Sequence, residues 1–126
     1  MQFLKDNTAG VNLVTGLDRD AVRINDEVYA HSLLLCADRI IAWPVTDVQA
    51  LTDTDWPPLI ATEPEIVILG TGHSLVFPEP HQMRPALENS VGIEVMDTRA
   101  ACRTYNLLVH EGRRVTAALI FNQVTL

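Results

Sequence analysis

The residues with the most chemistry to offer sit at two turns. Gly70-Thr71-Gly72 follows the apolar run Ile66-Val67-Ile68-Leu69, and Asp97-Thr98-Arg99 follows Ile93-Glu94-Val95-Met96. Paired glycines let a backbone approach a ligand closely, and a helix opening at Thr98 would aim unpaired N–H groups and its positive dipole end into the same space. Arg99 would add a planar cation suited to carboxylate or phosphate. Gly70, Thr71, Gly72, Thr98 and Arg99 are therefore the candidate ligand-binding residues, for a small anion or a nucleotide fragment. The run Gly70-Thr71-Gly72-His73-Ser74-Leu75 lacks the third glycine of a dinucleotide fingerprint and the Lys-Ser/Thr of a nucleotide-hydrolase loop. The short motif by itself favours a plainer role, in which the glycines make a tight turn and Thr98 caps a helix.

Other reactive residues fall short of a constellation. His73 and Ser74 adjoin the turn, but no Gly-x-Ser-x-Gly elbow surrounds them, and neighbours in sequence do not thereby share a catalytic hydrogen bond. His31, His73, His81 and His110 show no ligand spacing, and Cys36 and Cys102 form no Cys-x-x-Cys pair. No metal site, cofactor or catalytic residue is expected, and the reading leans away from an enzyme.

A second candidate surface comes from helical periodicity between Arg99 and about Glu111. At about 100° per residue, Ala101, Cys102, Tyr105, Leu108 and Val109 share one face, while Arg99, Arg103, Asn106 and His110 share the opposite one. The first is a core face, on which Cys102 behaves as a small hydrophobe rather than a nucleophile. Arg103, Asn106 and His110 on the second are the candidate partner-binding residues, set against the plainer alternative of a solvated face with local ion pairs.

Composition bounds what such surfaces can serve. The chain has 126 residues, 48% hydrophobic and 20% charged, and a formal charge of −7. That length suits a single domain, residues 1–126, with one self-sufficient core. The acidic balance argues against a nucleic-acid surface, which needs a basic face to displace counterions. No Lys or Arg lies between Arg39 and Arg84, whereas Asp47, Asp53, Asp55, Glu63, Glu65 and Glu79 do. Two distant cysteines, no apolar signal stretch in Met-Gln-Phe-Leu-Lys-Asp-Asn, and no apolar run near the ~18 residues of a membrane span set the expectation of a soluble, cytoplasmic protein.

The elements that must position these residues follow from pattern. Residues 11–15 and 21–25 predict a hairpin across the polar turn 16–20, with Asn25-Asp26 ending the second run. Residues 32–36 and 39–43 predict another across Ala37-Asp38. Asp53 or Asp55 is expected to cap a short helix with Pro57 in its first turn, ended by Pro64. Ile66 to Leu69 reads as a strand buried on both faces, residues 79–89 as a short helix, and Ile93 to Met96 as a second buried strand. Thr98 is expected to N-cap the helix from Arg99, Gly112 to stop it, and residues 115–121 to form a final strand. The second half thus predicts a strand-helix-strand-helix-strand core with right-handed crossovers over parallel strands, and the whole an α/β fold with N-terminal antiparallel β-hairpins.

The blocks Glu65 to Gly72, Gly92 to Thr98, Ala100 to Leu108, Glu111-Gly112-Arg113 and the closing apolar strand together resemble the Mth938-like family, a domain of unknown function. The resemblance covers the second half strongly and the first half through its hairpins and Trp43-Pro44. It implies that family's small α/β fold and relatives that act in mitochondrial respiratory complex I assembly or in cell differentiation. It supplies no catalytic residue to carry over. A non-catalytic adaptor or assembly-type protein is the leading functional expectation, and a small anionic-ligand-binding protein or weak enzyme is the alternative.

Overall fold

In the computed structural model, which describes residues 10–121, two sheets form. Strands β1 (Val14–Leu17), β2 (Val22–Ile24) and β3 (Glu27–Tyr29) make an antiparallel three-stranded sheet. Strands β4 (Leu33–Cys36), β5 (Arg39–Ala42), β6 (Ile66–Gly70), β7 (Gly92–Met96) and β8 (Val115–Leu119) make a five-stranded sheet in the order β5-β4-β8-β6-β7. Strands β8, β6 and β7 run parallel, and the β4–β5 hairpin joins antiparallel through β4. Among the described residues are also three α-helices, α1 (Pro57–Ile60), α2 (Arg84–Glu88) and α3 (Thr98–His110), and three short 3₁₀ segments, Val48–Ala50, Asp53–Asp55 and Pro80–Met83. The expected strand-helix-strand-helix-strand core is present.

Alternation along the central strands divides the interior into two layers. Leu33, Leu35, Ile68, Ala117 and Leu119 point to the side covered by α3 and the small sheet, where Val22, Ile24, Ala101, Tyr105 and Val109 meet them. Leu34, Val67, Leu69, Ala118 and Ile120 point to the other side, closed by Trp43, Trp56, Leu59 and Ala86. The period of two thus explains why β4, β6 and β8 read as continuous apolar runs: both of their faces are buried. Helices α2 and α3 lie on opposite faces because the chain passes from β6 outward to β7 and then back across β6 to β8.

Several local expectations need correction. β7 is an edge strand and not a buried one. It pairs with β6 alone, Gly92 and Glu94 are exposed, and Ile93, Val95 and Met96 are half-buried. Its apolar residues have a core only on the sheet faces, while its outer edge has no neighbouring strand among the described residues. The N-cap of α3 is Asp97, whose carboxylate accepts the Ala100 N–H at 2.8 Å, and Thr98 is the first helical residue. A short carboxylate placed one residue earlier reaches the same orphan donor and leaves the Thr98 hydroxyl for other work. Asn25-Asp26 does end the second run, β2 stopping at Ile24, and in addition it turns the chain into a strand that the pattern did not predict. Asn25 takes a left-handed φ of 55°, tolerated by Asn, and the chain returns as β3.

The first strand continues through Gly16 and Leu17 because a bulge between Val14 and Gly16 shifts the register, so the turn begins at Asp18. Residues 79–89 split into a 3₁₀ turn, Pro80–Met83, and α2, with Pro85 in the first turn as expected. Before α1, the cap of the 3₁₀ turn Asp53–Asp55 is Thr52, with Asp55 reaching back to the Thr52 N–H at 2.9 Å. α1 stops at Ile60, short of Pro64. Gly112, at φ 82°, follows α3 as the left-handed stop.

Candidate functional site

The two turns do meet. The parallel pairing of β6 with β7 brings both of their C-terminal ends to one sheet edge, where the Thr98 N–H donates to the Gly72 carbonyl at 2.9 Å. In return the Gly72 N–H donates to the Thr98 hydroxyl at 2.8 Å, and that hydroxyl donates to the Ile120 carbonyl at 2.9 Å. Thr71 N–H donates to Met96 O, and Ile120 N–H to Gly70 O, each at 2.9 Å. One threonine side chain therefore ties the ends of three consecutive parallel strands.

Gly70, Thr71, Gly72 and Thr98 are all buried, and only Arg99 of the five candidates is exposed. A Cβ on Gly70 would stand 3.0 Å from Ala101 Cβ and 3.1 Å from both Thr98 Cα and its hydroxyl oxygen. The close approach that this glycine permits is thus made by α3 itself. Of the first four N–H groups of α3, those of Thr98, Ala100 and Ala101 already have protein partners. Gly70→Ala is expected to cost about 2 kcal/mol by overpacking, read as a lowered urea midpoint with unchanged slope. A loss under a few tenths would mean that α3 yields freely.

Thr71 serves its own loop: its hydroxyl donates to Ser74 O at 2.6 Å and accepts the Val76 N–H at 3.1 Å. His73 and Ser74 are exposed on that loop. Among the described residues, no group of three or more His, Cys, Asp or Glu side chains is placed to hold a metal ion.

Helix α3 separates its faces much as periodicity predicts. Ala101, Cys102, Tyr105 and Val109 are buried and Leu108 is half-buried. Burial pushes the Cys102 thiol up to about 12 from its usual 9.0, outweighing the opposing charge of the nearby Arg99. The folded chain therefore holds this proton where the unfolded chain releases it. That contribution to stability is complete below pH 9 and is lost as the pH rises toward 12. Iodoacetamide at pH 8 is expected to leave Cys36 and Cys102 unmodified until denaturant is added, as followed by intact mass; rapid alkylation of the native chain would contradict this.

On the outer face the three partner-binding candidates separate. Arg103 and His110 are exposed. Asn106 is half-buried and turns to β1: its amide Nδ2 donates to Val14 O at 2.8 Å, and its Oδ1 accepts the Val14 N–H at 2.9 Å. It takes the position that a further strand would occupy and, with the Tyr105 hydroxyl donating to Asn12 O at 2.8 Å, fastens the small sheet to α3. A polar residue at helical spacing looks solvated until its tertiary neighbour is known. The guanidinium groups of Arg99 and Arg103 make no hydrogen bond or ion pair among the described residues.

The other arginines near the end are engaged. Arg113 pairs with Glu65 at 3.5 Å, and Arg114 Nε donates to Glu63 O at 3.3 Å. The Arg114 backbone N–H beside Glu65, with the charges of Arg113 and Arg114, holds that carboxyl below the usual carboxylate range. Pattern reading missed Leu107, 58% exposed beside the arginines. Its signal was available in its place one turn after Arg103.

Two sheets and a parallel β8-β6-β7 core define a small α/β domain whose glycine turn closes upon its own helix. Residues 14–120 match the family described as protein of unknown function (DUF498/DUF598), and the chain belongs to that family. It is 30% identical over 99 residues to the "13 kDa major membrane protein" of Francisella tularensis, covering 77% of this chain and 80% of that one. It is 38% identical over 88 residues to the bovine protein named NADH dehydrogenase (ubiquinone) 1 alpha subcomplex assembly factor 3, covering 68% of this chain and 48% of that one. The chain thus spans about half the length of that relative. A solution structure from Bordetella pertussis, described as an Mth938-like domain, superimposes with a TM-score of 0.72 at 30% identity, covering 94% of this chain and 90% of that one. The Mth938-like resemblance holds. No helix among the described residues is long and apolar enough to cross a membrane.

Proposed function

We propose that this domain is a non-catalytic adaptor or assembly-type protein, acting through protein–protein contacts made by the outer face of α3. The observation that carries the reading is a contrast in use. The polar groups around Gly70–Gly72 and Thr98 are engaged with one another, whereas the Arg99 and Arg103 guanidiniums stand exposed and unpaired among the described residues of a chain with charge −7. The name of the bovine relative, an assembly factor, supports the same class of role. A cytoplasmic location belongs to this reading, supported by two buried cysteines that remain free thiols.

Affinity capture of the tagged full chain at near-native expression is expected to recover a reproducible protein partner. Changing both Arg103 and His110 to Ala should reduce its recovery about tenfold, since rim charges and exposed contacts at an interface centre together reach that scale. Absence of any reproducible partner, or full retention by a folded double variant, overturns the reading.

A further inference from the structure

We infer that the partner surface recognised by α3 is an acidic amphipathic helix of another protein. This rests on the proposed function above and adds the shape and chemistry of the occupant. Three observations carry it.

The first is the row itself. Arg99, Arg103, Asn106 and His110 follow spacings of four, three and four, the interval at which one helix presents a seam to another. Asn106 is committed to β1, so the row continues on its open side through exposed Leu107. Arg99 to His110 extends about 16 Å at 1.5 Å per residue, three turns of helix.

The second is charge. Two guanidiniums one turn apart, unpaired among the described residues and followed one turn later by an apolar side chain, are matched by two carboxylates one turn apart and an apolar residue beyond them. Burial of Leu107 supplies the desolvated centre, and the arginines select the sign and register of what lies across it.

The third favours another protein over a second copy of this chain as the matching surface. Among the described residues α3 is the only helix of more than five residues, and its own exposed face is the cationic one. Asp47, Asp53, Asp55, Glu63 and Glu79 lie in or beside turns and 3₁₀ segments, and no helix aligns them.

The probe is a stapled helical peptide of about 15 residues with two glutamates one turn apart and a leucine one turn beyond, long enough to span the row. Titrated into the isotopically labelled full chain, it should shift amide resonances of α3 around Arg99, Arg103, Leu107 and His110. Its affinity should fall as salt rises. A lysine-for-glutamate peptide should not bind. An unstapled proline-containing peptide of equal charge should bind about tenfold more weakly or worse, as should the probe with the Arg99→Glu/Arg103→Glu variant. These exposed substitutions should leave thermal unfolding nearly unchanged.

Resonance shifts elsewhere, or equal binding by the non-helical peptide, overturn the inference. So does a concentration-dependent dimer abolished by the same variant, which would assign the row to a second copy. If capture loses its partner in the Arg103/His110 double variant while the acidic helix fails to bind, this inference falls and the adaptor reading stands.

Discussion

Thr98→Val is expected to lower stability by about 3 kcal/mol, because valine keeps the shape of threonine and removes the hydroxyl that two buried groups share. The Gly72 N–H and the Ile120 carbonyl would both lose their partner. Each orphaned buried group costs about 1–3 kcal/mol, and neither can recruit water without opening the strand ends. For a domain of this size the melting temperature should drop by roughly 10 °C. Thr98→Ser retains the hydroxyl and should lose less than half as much. A Val variant within a few tenths of a kcal/mol of the parent would mean that the three strand ends are held by pairing alone.

Gln82→Ala is expected to have an effect of similar size, about 3 kcal/mol, by uncoupling two connecting segments from each other. The buried Gln82 side-chain amide donates from Nε2 toward the carbonyls of Val48, Gln49 and Leu51 at 3.0, 3.2 and 3.1 Å. Its Oε1 accepts the Glu79 N–H at 2.8 Å, and its own backbone carbonyl accepts the Trp56 indole N–H at 2.7 Å. Truncation leaves several carbonyls unsatisfied beneath the face that Trp56 fills, while the backbone contact to Trp56 remains. Equilibrium urea unfolding followed by tryptophan fluorescence reads the change directly. An unchanged midpoint would show that the connection is solvated, contrary to its burial.

These two positions mark where pattern reading succeeds and where it stops. Ile66 to Leu69, the alternating faces of α3 and the stop at Gly112 are legible because each depends on intervals of a few residues. The Ala37-Asp38 hairpin is legible for the same reason. The return at Asn25 was not, since a two-residue turn and the end of a strand look alike until β3 finds β2. Gln82 gave no signal and Asn106 read as part of an open polar face, because the carbonyls that Gln82 holds lie 31 to 34 residues away and the Val14 backbone that Asn106 grips lies 92 away.

The candidate site divides along the same line. That Gly70-Thr71-Gly72 and Thr98 are neighbours follows from parallel strands separated by a helix, a rule that sequence order is enough to apply. What stands against the glycines was decided by packing. Hydrogen bonds and van der Waals contact act over a few ångströms, and only the folded chain sets Ala101 and the Thr98 hydroxyl within that reach of Gly70 and Gly72. The sequence alone determined an acidic α/β domain with a close-approach turn and an amphipathic last helix. Tertiary structure decided that the turn closes on its own helix and that the arginines of that helix face outward, unpaired among the described residues, because which polar groups are already satisfied depends on distances that no local pattern encodes.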